Sequence, residues 1–118
     1  MIKVSDSDLG AVNVSREVLA TYIGLAATNC FGVVGMASKT LKDGMASLLG
    51  IDSFSRGVEI VDDGEGPQVK VYIIVGYGTK ISEIANNVIQ RIHYNVGEYL
   101  GIKLGGVKLV VQDVRLLD

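Results

Sequence analysis

The chain holds one histidine and one cysteine, and that scarcity limits the chemistry open to it. A structural or catalytic zinc site takes three or four nitrogen, sulfur or oxygen ligands, and one cysteine can form neither a CxxC pair nor an internal disulfide. His93 stands between Ile92 and Tyr94 at the edge of an apolar helical face. Imidazole serves as a base or a metal ligand only with partners, and none accompanies it, so it reads as a partly exposed helix residue. Cys30 closes a helix beside Phe31. A reactive thiolate needs nearby positive charge or a helix N-terminus. A helix C-terminus has the opposite sign, so Cys30 reads as a core residue. Asp62, Asp63 and Glu65 crowd one loop. They lack the alternating acids and distant glutamate of a calcium loop, and read as a solvated hairpin tip.

One glycine motif remains, Gly32-Val33-Val34-Gly35. A GxxG loop between two helices clamps nucleic-acid backbone in KH domains. Here both middle residues are valine, and Lys39 and Lys42 follow the motif instead of preceding it. Tight turning or close packing is the better account, with Gly32, Gly35 and Gly78 as candidate structural turn positions. Tyr72, Tyr77, Tyr94 and Tyr99 are not interleaved with basic residues, so no base-stacking platform stands out. No catalytic, cofactor-binding or metal-binding residue is assigned. No cofactor is expected, and the chain reads as a non-enzyme.

The elements around these residues must come from 118 positions, 48% hydrophobic and 20% charged. That is the size of one domain whose core needs no disulfide or metal. A single domain over residues 1–118 is expected, with residues 1–8 a polar lead-in. The net charge of −2 and the scattered lysines and arginines argue against nucleic acid as a partner. Lys3, Asp6 and Asp8 interrupt the first ten residues, so no secretory leader is expected. The lone cysteine fits a reducing, cytoplasmic setting. Residues 18–38 carry no charge, but Thr21, Thr28 and Asn29 lie in their middle and no basic cluster flanks them. A direct membrane span is therefore not expected.

Residues 10–14 alternate as a strand does. Ser15 caps a helix whose apolar face is Val18, Leu19, Tyr22, Ile23, Ala26 and Ala27. Residues 32–36 suit a short strand or buried turn. Residues 37–49 suggest a short helix with Leu41, Met45, Leu48 and Leu49 on one side, ended by Gly50. Strands over 57–61 and 68–77 flank a turn-rich loop. The second strand is apolar on both faces, which predicts a central position or a cover. A long helix follows, its core face running from Ile81 through Ile84, Val88, Ile92 and Val96 to Tyr99, with Gly101 as its stop. Residues 107–114 close with a strand. The order predicts an α+β fold: a mainly antiparallel sheet, two long helices packed on one face, a split β-α-β (ferredoxin-like) order and a short extra helix.

Gly10-x-Val12-x-Val14-Ser15-x-Glu17-Val18-Leu19, Gly32-Val33-Val34-Gly35-Met36, Tyr77-Gly78-x-x-Ile81-x-x-Ile84-Ala85 and Gly101-Ile102-x-Leu104 occur in an order and spacing that resembles the alkaline-shock-protein family of bacterial envelope-stress proteins. The likeness runs from about Gly10 to Val114. It implies a small cytoplasmic protein linked to envelope or alkaline stress, a homo-oligomer, held near the membrane by a membrane-anchored protein partner. The family has no established catalytic residue to carry over. Phe31 stands where an acid often precedes the G-V-x-G-M run, and interactions through long charged tails are not expected.

The function expected is a non-enzymatic scaffold or adaptor acting by self-association and partner binding. Two other readings stay open at this level. One is a small-molecule sensor domain, on fold analogy alone. The other is RNA binding through the Gly32–Gly35 turn.

Overall fold

The computed structural model describes residues 2–7, 10–62 and 64–116, with the backbone alone for 2–7 and 10–13. Asp8 of the lead-in and Asp63 of the acidic loop lie outside the described residues. Strand β1 (Ile2–Ser7) pairs antiparallel with β2 (Gly10–Val14) as a separate two-stranded ribbon. The residues read as a polar lead-in thus largely form a strand. The molecule measures 53 Å along its longest axis and 22 Å along its shortest.

Helix α1 (Arg16–Thr28) starts where the sequence places its cap. The Ser15 hydroxyl accepts from the Val18 N–H at 3.1 Å, and Glu17 sits at the positive end of the helix dipole. Leu19, Ile23, Ala26 and Ala27 turn inward at helical spacing. Gly24 lies on the same side, and a Cβ there would stand 2.7 Å from the Phe54 ring. Its bare backbone is what lets the 3-10 helix Ile51–Gly57 lay buried Phe54 against α1. That is where the short extra helix lies.

Residues 37–49 are not helical. Strand β3 (Val33–Ala37) is followed by a loop and by the short β4 (Leu48–Leu49), which pairs back onto β3. Within the loop Lys42 and Met45 exchange backbone hydrogen bonds around Asp43 and Gly44, whose φ angles are 54° and 76°. Positive φ at both central positions is the primed hairpin turn that Asp-Gly favours. Leu41, Met45 and Leu48, which mimic a helical stripe, are all exposed.

Strands β5 (Val58–Asp62) and β6 (Pro67–Gly76) form the expected hairpin. β6 is the axis of a five-stranded mixed sheet. Along one edge it pairs antiparallel with β5 through residues 67–71 and with β3 through residues 73–75, so those two strands lie end to end. Its other edge takes β7 (Gly106–Arg115) in parallel. The class is the expected α+β, but the parallel strands are direct neighbours and the β-α-β unit is not split. The physical reason is that β3 and β5 share one edge of β6, leaving the other wholly to β7.

Helix α2 (Ile81–Asn95) makes that crossover and packs on the same face as α1. Val69, Val71, Ile73 and Val75 of β6 meet Leu19, Ile23, Ile84, Val88 and Ile92 in the main core. Ile74 and Tyr72 point the other way, where Ala37 and Ala46 of the β3–β4 region cover them. Gln112 Nε2 donates to the Ser38 and Lys39 carbonyls at 3.1 and 3.2 Å, and Arg115 donates to the Ala46 carbonyl at 2.9 Å. These bonds hold the loop over that second face.

The expected α2 face ends early at both ends. Ile81, at the first helical position, is 44% exposed and Tyr99 is 69% exposed. A wider π turn over Val96–Leu100 follows the helix, and it breaks the 3.6-residue phase after buried Val96. Gly101, at φ 69°, ends it, and Ile102 and Leu104 enter the core where Tyr99 was expected.

Candidate functional site

The turn out of α1 decides which side chain faces in and which faces out. Gly32 adopts φ 89°, a conformation costly for any residue with a Cβ, and Val33 N–H closes the turn onto the Cys30 carbonyl at 3.3 Å. Cys30 is thereby buried and Phe31 is left 88% exposed. Phe31 forms one wall of a groove of about 830 Å³ between this turn and the outward face of α2. Tyr94 of α2 and Tyr99 of the π turn add two more exposed rings. Asn87, Gln90 and Asn95 supply amides along the helix. Tyr22 donates to the Asn95 carbonyl at 3.5 Å, and its phenol pKa is raised, first by burial and then by neighbouring Tyr99.

Cys30 lies at the floor of this groove. Burial pushes its thiol up, and the Arg91 guanidinium within hydrogen-bonding reach pulls it partly back. Sequence reasoning rightly made Cys30 a buried residue but missed the cation beside it, because Arg91 lies on a different helix far along the chain. A signal was present. Asn87, Arg91, Tyr94 and Asn95 recur at three- and four-residue steps along the border of the core stripe of α2.

A second feature is the outer edge of β7. Among the described residues β7 pairs only with β6. Val107, Leu109 and Val111 are partly buried, whereas their β6 neighbours Val69, Val71 and Ile73 are 3%, 0% and 0% exposed. The core therefore remains open along this strand. The register with β6 shifts between Ile73 and Ile74, so that Asp113 and not Gln112 faces Ile74. This bulge confines regular pairing on the free edge to residues 106–111.

The other sequence candidates fall into place around these features. Gly32 is in the α1–β3 turn, Gly35 is within β3 facing Ile74, and Gly78, at φ 87°, follows β6. The Gly32–Gly35 run leads into a strand, and no helix follows it before residue 51, so it is not a loop between two helices. His93 is exposed on α2. No group of three or more His, Cys, Asp or Glu able to hold a metal occurs among the described residues. No described helix is long and apolar enough to cross a membrane.

A strand edge left unpaired among the described residues and an aromatic groove beside the helices define the class: a small α+β domain whose distinctive features are surfaces. The chain belongs to the alkaline shock protein 23 family, described as having a cell envelope-related function, whose model matches residues 4–116. This is the family that the glycine and valine spacing resembles. YloU of Bacillus subtilis (strain 168) is 45% identical over 110 residues, 92% of either chain. Spy1614 of Streptococcus pyogenes serotype M6 is 38% identical over 117 residues, 98% of this chain and 96% of that one. YqhY of Bacillus subtilis is 23% identical over 110 residues, 93% of this chain and 81% of that one. All three are named as uncharacterized proteins. No solved structure matches the chain.

Proposed function

We propose that the chain is a non-enzymatic scaffold or adaptor of the bacterial cell envelope, acting in the cytoplasm as a single domain by self-association and by binding a membrane-anchored protein. The observation that carries self-association is the open edge of β7. An unpaired strand edge with a half-covered apolar face is a template for another strand. A two-fold pairing of two copies centred on Leu109 sets Val107 against Val111 and Lys108 against Val110. It keeps core-facing residues on one side and avoids opposing the two lysines. The bulge at residue 112 stops the pairing from growing further.

Light scattering after size exclusion, over a wide concentration range, tests this. The wild type should pass from monomer to dimer as concentration rises. Val110→Lys sets like charges opposite each other twice, and Val110→Glu sets opposite charges, each pair contributing about 0.2–1 kcal/mol. The dimer dissociation constant should rise about tenfold in the first and fall in the second. A strict monomer throughout, or one constant for all three proteins, would refute strand pairing.

A further inference from the structure

We infer that the groove between the α1–β3 turn and α2 is a docking site for a peptide segment of another protein, one that presents a carboxylate beside an apolar side chain. The inference rests on the adaptor reading and names the chemistry of its partner. Three rings line the groove and are largely exposed: Phe31 at 88%, Tyr94 at 62% and Tyr99 at 69%. Exposing three aromatics around one hollow forgoes the stabilisation that burying them would bring. The one charge in the lining is Arg91, and no carboxylate lines the groove. Arg91 makes no salt bridge among the described residues, and the residues one turn away from it, Asn87 and Asn95, are neutral. Aromatic rings and arginine with few lysines, aspartates or glutamates is the composition of protein-interface centres.

Charge complementarity then sets the occupant. A guanidinium offers a planar fork of donors that a carboxylate accepts in pairs. The rings on either side take an apolar side chain, and the amides of Asn87 and Asn95 can bond the peptide backbone. By contrast, the hollow of about 430 Å³ on the second sheet face mixes Glu59 with Lys70 and Lys108. Its charges of both signs select no such partner.

A display selection of random twelve-residue peptides against the intact chain tests the inference, with Phe31→Ala and Arg91→Gln as variants. Phe31 is almost wholly exposed, so its removal leaves the fold in place, as a matching circular dichroism melt would verify. Enriched peptides should carry Asp or Glu next to a large apolar residue. Their affinity should fall at least tenfold with either variant, and also when the peptide acid is changed to its amide. No enrichment, enriched peptides without an acid, or binding to either variant as tight as to the wild type would overturn the inference. So would loss of dimerisation in Phe31→Ala, since the occupant would then be a second copy. The Val110→Lys protein should select the same peptides, so failure at the groove and failure at the strand edge are read separately.

Discussion

Replacing Gly32 by alanine tests how the turn beside the groove is built. Gly32 has φ 89°, and a Cβ there would stand 2.5 Å from Ile84 Cδ1 and 2.8 Å from Ile84 Cγ1. Two costs add. Holding an L-residue at positive φ costs about 1–2 kcal/mol, and forcing a methyl into the buried Ile84 side chain costs about 1–3 kcal/mol. The sum is about 2–5 kcal/mol, a large part of a native stability of about 5–15 kcal/mol. Gly78→Ala separates the two costs, because Gly78 shares the positive φ of 87° but has nothing within 4 Å of its Cβ position. It should lose only the first, about 1–2 kcal/mol. Chemical denaturation of both variants gives the difference. Ile84→Ala removes the clashing atoms at its own cost of about 2–5 kcal/mol. Added to Gly32→Ala, it should yield a double variant more stable than the sum of the two losses predicts, by the size of the steric cost. Equal losses for Gly32→Ala and Gly78→Ala, or strict additivity with Ile84→Ala, would refute the packing account of this turn.

Two further outcomes follow from local geometry. Ser15→Ala removes the acceptor for the Val18 N–H and should cost about 1 kcal/mol in the same denaturation assay, whereas Ser15→Asp should retain most of it. Cys30 is a pH test. Its folded pKa is raised above 9.0, so the folded state holds the thiol proton more tightly than the unfolded chain does. Stability is then full below the unfolded thiol's pKa and declines as pH rises through 9.0 toward the folded value. The rate of iodoacetamide alkylation against pH should show a midpoint above 9.0, and Arg91→Gln, which removes the lowering influence, should move it higher still. A midpoint that falls in Arg91→Gln would reverse the assigned role of the guanidinium.

Much of this architecture is written in local pattern. Ser15 before an apolar helical stripe, the turn residues between β5 and β6, and the four-residue steps from Ile84 to Val96 each act through neighbours a few positions away. What escaped reading has equally local causes in two cases. Asp43-Gly44 is a turn signal that Leu41, Met45 and Leu48 obscured by falling at near-helical spacing. The π turn after Val96 changes the period of a helix, and a count that assumes 3.6 carries Tyr99 into the core. The remaining misses are long-range. The adjacency of β6 and β7 depends on β3 and β5 sharing one edge. The meeting of Arg91, Cys30 and Phe31 depends on how two helices pack, which no window of sequence contains.

The position of β6 sets how the molecule comes apart. Its backbone groups are bonded to β3, β5 and β7 at once, and of the sheet strands only β4 does not touch it. None of those three strands can detach without baring a stretch of β6, whose inner face is the centre of the main core. Local opening is therefore expected first in the β1–β2 ribbon, β4 and the loops, while the β6 amides should exchange with solvent only on global unfolding. A strand added to the free edge of β7 would lie one hydrogen-bonded neighbour from that hub. Its binding energy would therefore slow exchange throughout the sheet and not only at the contact, by the ordinary linkage between ligand and native state.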